Sequence, residues 1–125
     1  MKYEEINTSA NQDKLQLSDH TAQIYQDSLY VYGGRKGQEF YRNHPTNELW
    51  SFNLGKRRPF ETLAWKLWKP LGESPGPRER ASSFLFDHHL CIYGGKGAVE
   101  GDPKIKDFFM LNLSNLLKIL KFFNI

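Results

Sequence analysis

The apolar hexapeptide Leu29–Gly34, LYVYGG, returns 61 positions later as Leu90–Gly95, LCIYGG. Recurrence over tens of residues marks a supersecondary unit used twice, not local low complexity. In both copies β-branched and aromatic residues predict a strand, and a glycine pair ends it. Glycine adopts φ > 0 without strain and lets another backbone approach where a Cβ would collide.

The flanking residues follow the same order twice. In the first copy His20–Gln26 alternates weakly, Asp27-Ser28 reads as a turn, and Leu29–Tyr32 is the strand before Gly33-Gly34. Loop Arg35–Thr46 follows, then Asn47–Leu54 (NELWSFNL), where Leu49, Ser51 and Asn53 alternate with Trp50, Phe52 and Leu54 across two faces. Trp65–Lys69 is a fourth short strand. In the second copy Pro75–Arg80 is a turn-rich linker, Ala81–Phe86 a strand, Asp87-His88 a turn and His89–Tyr93 the strand before Gly94-Gly95. After loop Lys96–Lys106, Asp107–Leu113 (DFFMLNL) answers Glu48–Leu54 (ELWSFNL) position by position. Four short strands with turn punctuation predict a self-contained antiparallel sheet in the first copy, and the second runs in the same order through its third strand.

These features resemble the Kelch repeat. The resemblance rests on the apolar strand ending in Gly-Gly, the Asn/Asp-apolar-aromatic strand and a following Trp. It extends through a Gly-x-x-Pro-x-x-Arg line that opens the next repeat: Trp65, Gly72, Pro75, Arg78, Ala81 and Ser82. Trp65 fits that spacing better than Trp68. The departures are local. Phe52 and Leu111 stand where the family carries a third-strand tyrosine, Ala81 replaces the first-strand histidine that His20 keeps, and the second copy lacks a closing Trp. The motif residues singled out are Tyr32, Gly33, Gly34, Phe52, Trp65, Tyr93, Gly94 and Gly95.

The resemblance implies an all-β fold, a partial Kelch-type β-propeller of two four-stranded antiparallel blades, with repeat 1 over 14–70 and an incomplete repeat 2 over 71–113. Propellers close 4–8 blades into a ring, and about three repeats are usually needed before an array is stable. Two blades therefore leave two apolar faces uncovered. Residues 1–13 read as a flexible segment or an extra edge strand. In the apolar tail 114–125, Ser114 is placed to cap a short helix through Asn115–Phe123, with Leu116, Leu117, Leu120 and Phe123 on one side. A strand substitute, or the end of a truncated product, are the other readings of that tail.

Composition narrows the function classes. At 39% hydrophobic and 25% charged over 125 residues the chain reads as globular, and a net charge of +3 is too mild for a nucleic-acid-binding signature. Leu111–Ile125, interrupted by Lys118 and Lys121, is shorter than the roughly 20 apolar residues of a membrane span. No signal peptide is legible, so the Asn7 and Asn112 glycosylation sequons read as chance matches. The single cysteine, Cys91, lies mid-strand, which predicts an inert buried thiol and a reducing, cytoplasmic setting.

No catalytic constellation emerges. Lys36 and Lys96 in the glycine loops are each followed by Gly, whereas a phosphate-cradling loop needs Ser or Thr there for magnesium. His88 and His89 are adjacent, and strand alternation would point them to opposite faces, away from a shared ion. His20 is expected to bond backbone from the first strand. The aromatic stripe Tyr30, Tyr32, Trp50, Phe52 and Trp65 reads as core rather than a base-stacking platform, and Lys56–Arg58 as a solvated tip. No cofactor or metal is expected.

The resemblance implies a non-catalytic protein-interaction module, scaffold or adaptor. Its loops after the second and fourth strands, Arg35–Thr46, Leu71–Arg80 and Lys96–Lys106, share one face, and loops on a rigid scaffold are where binding resides. The candidate partner-binding residues are Arg35, Lys36, Tyr41, Arg42, His44, Arg78, Arg80, Lys96 and Lys104. Their charge favours an acidic protein partner. The alternative is a fragment or truncated product that completes its ring with another chain. Open blade faces also predict homo-oligomers.

Overall fold

Alternating apolar and polar residues, broken by Gly, Pro and Asp turns, give strands throughout. The computed structural model describes residues 2–6, 17–36, 45–55, 65–71, 75–97, 105–115 and 119–124. In chain order the strands are β1 (Lys2–Ile6), β2 (Leu17–Ser18), β3 (Thr21–Tyr25), β4 (Ser28–Tyr32), β5 (Arg35–Lys36) and β6 (Leu49–Asn53). They continue as β7 (Lys66–Leu71), β8 (Ser82–Phe86), β9 (His89–Tyr93), β10 (Asp107–Asn112) and β11 (Ile119–Asn124). Two antiparallel blades result, one ordered β1-β7-β6-β4-β3 and the other β11-β10-β9-β8, with a small β2-β5 pair beside the first. The first sheet has five strands, because β1 adds to the edge of β7.

The 61-residue repeat holds in backbone detail. Gly33 and Gly94 have φ of 69° and 73°, Gly34 and Gly95 of 88° and 97°. The non-glycine residues at positive φ fall into matching pairs: Asp19 with Arg80, and Gln26 with Asp87. The first hairpin therefore turns at Gln26-Asp27, one residue before the predicted Asp27-Ser28. Glutamine is a poor signal for the left-handed region, where Asp and Asn are enriched. Matching hydrogen bonds close each copy: Gly33 N–H to Glu48 C=O and Gly94 N–H to Asp107 C=O, at 3.1 and 3.2 Å.

The main core lies between the blades. Tyr32 and Leu49 from the first pack on Leu90, Ile92, Phe109, Leu111 and Leu113 from the second. The innermost strands β3 and β8 carry opposite burial patterns, since each turns alternate residues toward the other blade. Where they meet, the Thr21 and Ser83 hydroxyls are hydrogen-bonded and Gln23 Nε2 donates to Ser83 Oγ and C=O at 3.2 Å. A second cluster, Val31, Trp50 and Leu67 with Leu17, Leu29 and Trp65, lies on the far side of the first blade.

The expected C-terminal helix is not formed. Residues 119–124 are strand β11, paired antiparallel with β10 through Leu111↔Ile119, Met110↔Leu120 and Phe109↔Lys121, with a register shift between Asp107 and Phe109. Helical spacing of the leucines loses to the open edge of β10, whose unpaired N–H and C=O groups the tail satisfies. β11 thus supplies the fourth strand that a missing Trp motif concealed.

Candidate functional site

The glycine pairs bring three connecting segments to one end of the blades. Gly34 N–H donates to the Arg78 carbonyl at 2.8 Å, Arg78 N–H to the Thr46 carbonyl at 3.2 Å and Thr46 N–H to the Gly34 carbonyl at 2.9 Å. A Cβ at Gly33 would stand 2.7 Å from the Arg78 carbonyl oxygen, so the linker needs glycine there. The linker also exchanges two bonds with the second copy's loop, Glu79 N–H to Lys96 C=O and Lys96 N–H to Glu79 C=O, both 2.9 Å. Arg80 N–H donates to the Asp19 carbonyl at 2.8 Å. Residues far apart in sequence are thereby fixed on one face.

The candidate residues on that face separate by burial. Arg78 is 1% exposed. Its guanidinium bonds Asp107 twice, at 2.5 and 3.0 Å, and donates to the carbonyls of Gly94 at 3.1 Å and Gly76 at 3.0 Å, with Phe109 beneath it at 5.6 Å. It is a structural clamp rather than a partner contact, which corrects the expectation for this residue. A motif arginine in a loop looks like a surface charge until an acidic partner from another strand is placed on it.

Arg35 is ion-paired with the buried Glu79, and that hydrogen bond raises its pKa. Its side chain is 38% exposed. Arg80 and Lys96 are exposed. Arg80 Nε lies 3.7 Å from Asp19 Oδ1, a loose surface pair of little energetic weight. Lys36 belongs to β5, opposite Leu17. Tyr41, Arg42, His44 and Lys104, like Lys56–Arg58, lie outside the described residues. Asp19 was missed as a member of this face, although it stands 61 positions before Arg80.

The motif residues are structural. Tyr32 is buried and its hydroxyl donates to the Pro75 carbonyl at 3.1 Å, tying the first blade to the linker. Phe52 and Trp65 pack with ring centroids 5.1 Å apart. Trp68, passed over as the motif residue, donates from Nε1 to Ser51 Oγ at 2.9 Å and packs against the interblade core. Tyr93, the counterpart of Tyr32, is 39% exposed because it faces away from the first blade.

Among the described residues no group of three or more His, Cys, Asp or Glu side chains is placed to hold a metal. The His88 and His89 rings lie 4.2 Å apart instead of on opposite faces, because His88 sits in the turn and not in the strand. His88 Nδ1 is 3.1 Å from Asp87 Oδ2. His20 is exposed just before β3 rather than within it. Cys91 is buried, and that burial pushes its thiol pKa up, against a smaller lowering from a backbone hydrogen bond with Phe86. Among the described residues no helix is long and apolar enough to cross a membrane.

Antiparallel sheets of four and five strands, each with a glycine pair ending its second repeat strand and packed face to face, define adjacent blades of a β-propeller. The chain belongs to the Kelch-repeat family: residues 1–119 match the model of the KLHDC2/KLHL20/DRC7 Kelch-repeats domain. It is 27% identical over 95 residues to a leucine-zipper-like transcriptional regulator 1 homolog of Drosophila melanogaster, covering 76% of this chain and 9% of that protein. It is 28% identical over 102 residues to tip elongation aberrant protein 1 of Schizosaccharomyces pombe, covering 78% of this chain and 8% of that protein. The chain thus spans less than a tenth of the length of either relative. Kelch-repeat domains are in general protein-binding domains.

Proposed function

We propose that this chain is a non-catalytic interaction module, a scaffold or adaptor that binds an acidic segment of another protein in a cytoplasmic setting. The observation that carries the reading is the joining of the two long loops and the linker on one face by the Gly34–Arg78, Arg78–Thr46 and Glu79–Lys96 backbone bonds. That network holds Arg80 and Lys96 outward on a rigid frame. Positive side chains so held raise the association rate with an acidic partner and lose that advantage in salt. Tyr41 and Arg42 from the same loop supply residue types enriched among interface hot spots.

The test is a partner captured with the wild-type chain, identified, purified and titrated against variants. Tyr41→Ala with Arg42→Ala, and separately Arg80→Ala with Lys96→Ala, should weaken binding with unchanged circular dichroism, and the second pair should flatten its salt dependence. Full binding to both double variants, with loss on replacing Lys56, Arg57 and Arg58 by Ala, would move the site to the opposite face.

A second reading is favoured by one observation, the exposure of Phe84, Phe86 and Tyr93 on the outer face of the second blade. In that reading the chain is a structural subunit whose blades complete a propeller with others.

A further inference from the structure

The interface between the two blades has two halves, and the repeat puts the counterparts of each half on an outer face of the chain, where Cys91 and Val31 are buried beneath their neighbours and Ile24, Phe84, Phe86 and Tyr93 are exposed. The first blade presents Thr21, Gln23, Tyr25, Tyr30, Tyr32 and Leu49 toward the second. Shifted by the repeat, these positions become Ser82, Phe84, Phe86, Cys91, Tyr93 and Phe108, which share the outer face of the second blade by register. The second blade presents Ser83, Leu85, Leu90 and Ile92 inward; their counterparts Ala22, Ile24, Leu29 and Val31 share the outer face of the first. Among the described residues, four of the five exposed large hydrophobics, Ile24 57%, Phe84 49%, Phe86 63% and Tyr93, fall on these two outer faces.

The outer halves also match in chemistry. Inside the chain the polar Gln23 meets Ser83. At the corresponding outer positions both members are apolar, Phe84 against Ala22, and large stands opposite small. Phe86 would likewise meet Ile24 where Tyr25 and Leu85 stand in the internal interface. Phe84 and Phe108 already pack together at 6.0 Å, giving the outer face a fixed aromatic ridge.

The glycine pairs supply an independent observation. Gly33 and Gly94 share the same conformation and the same local bond, yet a Cβ at Gly33 would strike the Arg78 carbonyl at 2.7 Å, while one at Gly94 would meet only the Ile105 carbonyl oxygen at 3.4 Å. Gly94 keeps the geometry that admits a crossing backbone. The repeat identifies the segment of this chain equivalent to Arg78–Arg80 as Leu17–Asp19, on the approach to β3.

We propose that the outer face of the second blade binds the outer face of the first blade of another copy of this chain, head to tail. The Leu17 carbonyl of that copy then accepts from Gly95 N–H, as the Arg78 carbonyl accepts from Gly34 N–H. This deepens the structural-subunit reading and is independent of the loop face. The contact is heterologous, so two or three copies close into a ring of four or six blades if the rotation permits, and an open chain of copies forms if it does not.

Sedimentation of the purified chain tests it. Wild type should associate reversibly. Phe84→Asp and Ala22→Lys should each be folded by circular dichroism and monomeric, and mixing the two should restore association, because the unaltered second-blade face of the Ala22→Lys copy meets the unaltered first-blade face of the Phe84→Asp copy. Phe86→Asp and Ile24→Lys form a second such pair should either first variant fail to fold. A wild-type chain monomeric at tens of micromolar overturns self-association and leaves the face to a blade of a different protein. Dissociation by Phe84→Asp but not by Ala22→Lys overturns the head-to-tail geometry, because a face pairing with itself would behave that way.

Discussion

Arg78 and Asp107 join the linker before the second blade to that blade's third strand, through two hydrogen bonds at 2.5 and 3.0 Å. Arg78 is almost wholly buried, and its remaining donors go to main-chain carbonyls. Removing one member of a buried pair strands the other charge and costs about 3–5 kcal/mol. Arg78→Ala should lower stability by that order in urea unfolding. Arg78→Lys should recover only part of the loss, since an ammonium cannot reproduce the bidentate fork. A change under about 1 kcal/mol for Arg78→Ala would contradict the clamp.

The two first glycines of the repeat should respond unequally to alanine. Both sit at positive φ, which costs an L-residue roughly 1–2 kcal/mol. Gly33→Ala adds a collision with the Arg78 carbonyl, whereas Gly94→Ala meets the Ile105 carbonyl oxygen at ordinary contact distance. Overpacking of that kind costs about 1–3 kcal/mol more. Under dilute conditions Gly33→Ala should melt well below Gly94→Ala, and equal melting temperatures would contradict the crossing.

Tyr32 and Tyr93 occupy the same repeat position with different duties. Tyr32→Phe removes the buried bond to the Pro75 carbonyl and should cost about 1 kcal/mol. Tyr93→Phe, on an exposed face, should leave chemical denaturation of the monomer unchanged.

Alkaline pH should destabilise the fold through two groups. Burial raises the pKa of the Cys91 thiol above its ordinary 9.0 and that of the Tyr30 phenol above its ordinary 10.0. Each is held neutral in the folded chain while the unfolded chain ionises. Their contribution is therefore intact below the ordinary value and is lost as pH rises through the folded one. Melting temperature should fall from about pH 9 and more steeply beyond pH 10, and Cys91→Ala should reduce the first part of that fall.

Much of the fold was legible because a repeat is read twice. Leu29–Gly34 and Leu90–Gly95 fix the second strand of each blade, and ELWSFNL with DFFMLNL fixes the third. β11 was not legible, because its residues satisfy a helical spacing as well as a strand, and only the open edge of β10 decides between them. Arg78 was legible as a motif position but not as a buried one, since burial depends on Asp107, 29 residues on. Arg80 and Lys96, with no such acidic clamp on a neighbouring strand, remain at the surface as the sequence implied.

The pairing of β1 with β7 sets Lys2 opposite Leu71 and Ile6 opposite Leu67. A ribosome delivers β1 long before its partner. The segment cannot take its place in the blade until β7, its only strand neighbour among the described residues, is available. Such non-local closure is slow, because the loop entropy is spent before any contact rewards it. Completion of the outer rim is therefore the late step in building the first blade, and the waiting strand is the part of the chain most open to capture by a chaperone or a neighbouring molecule.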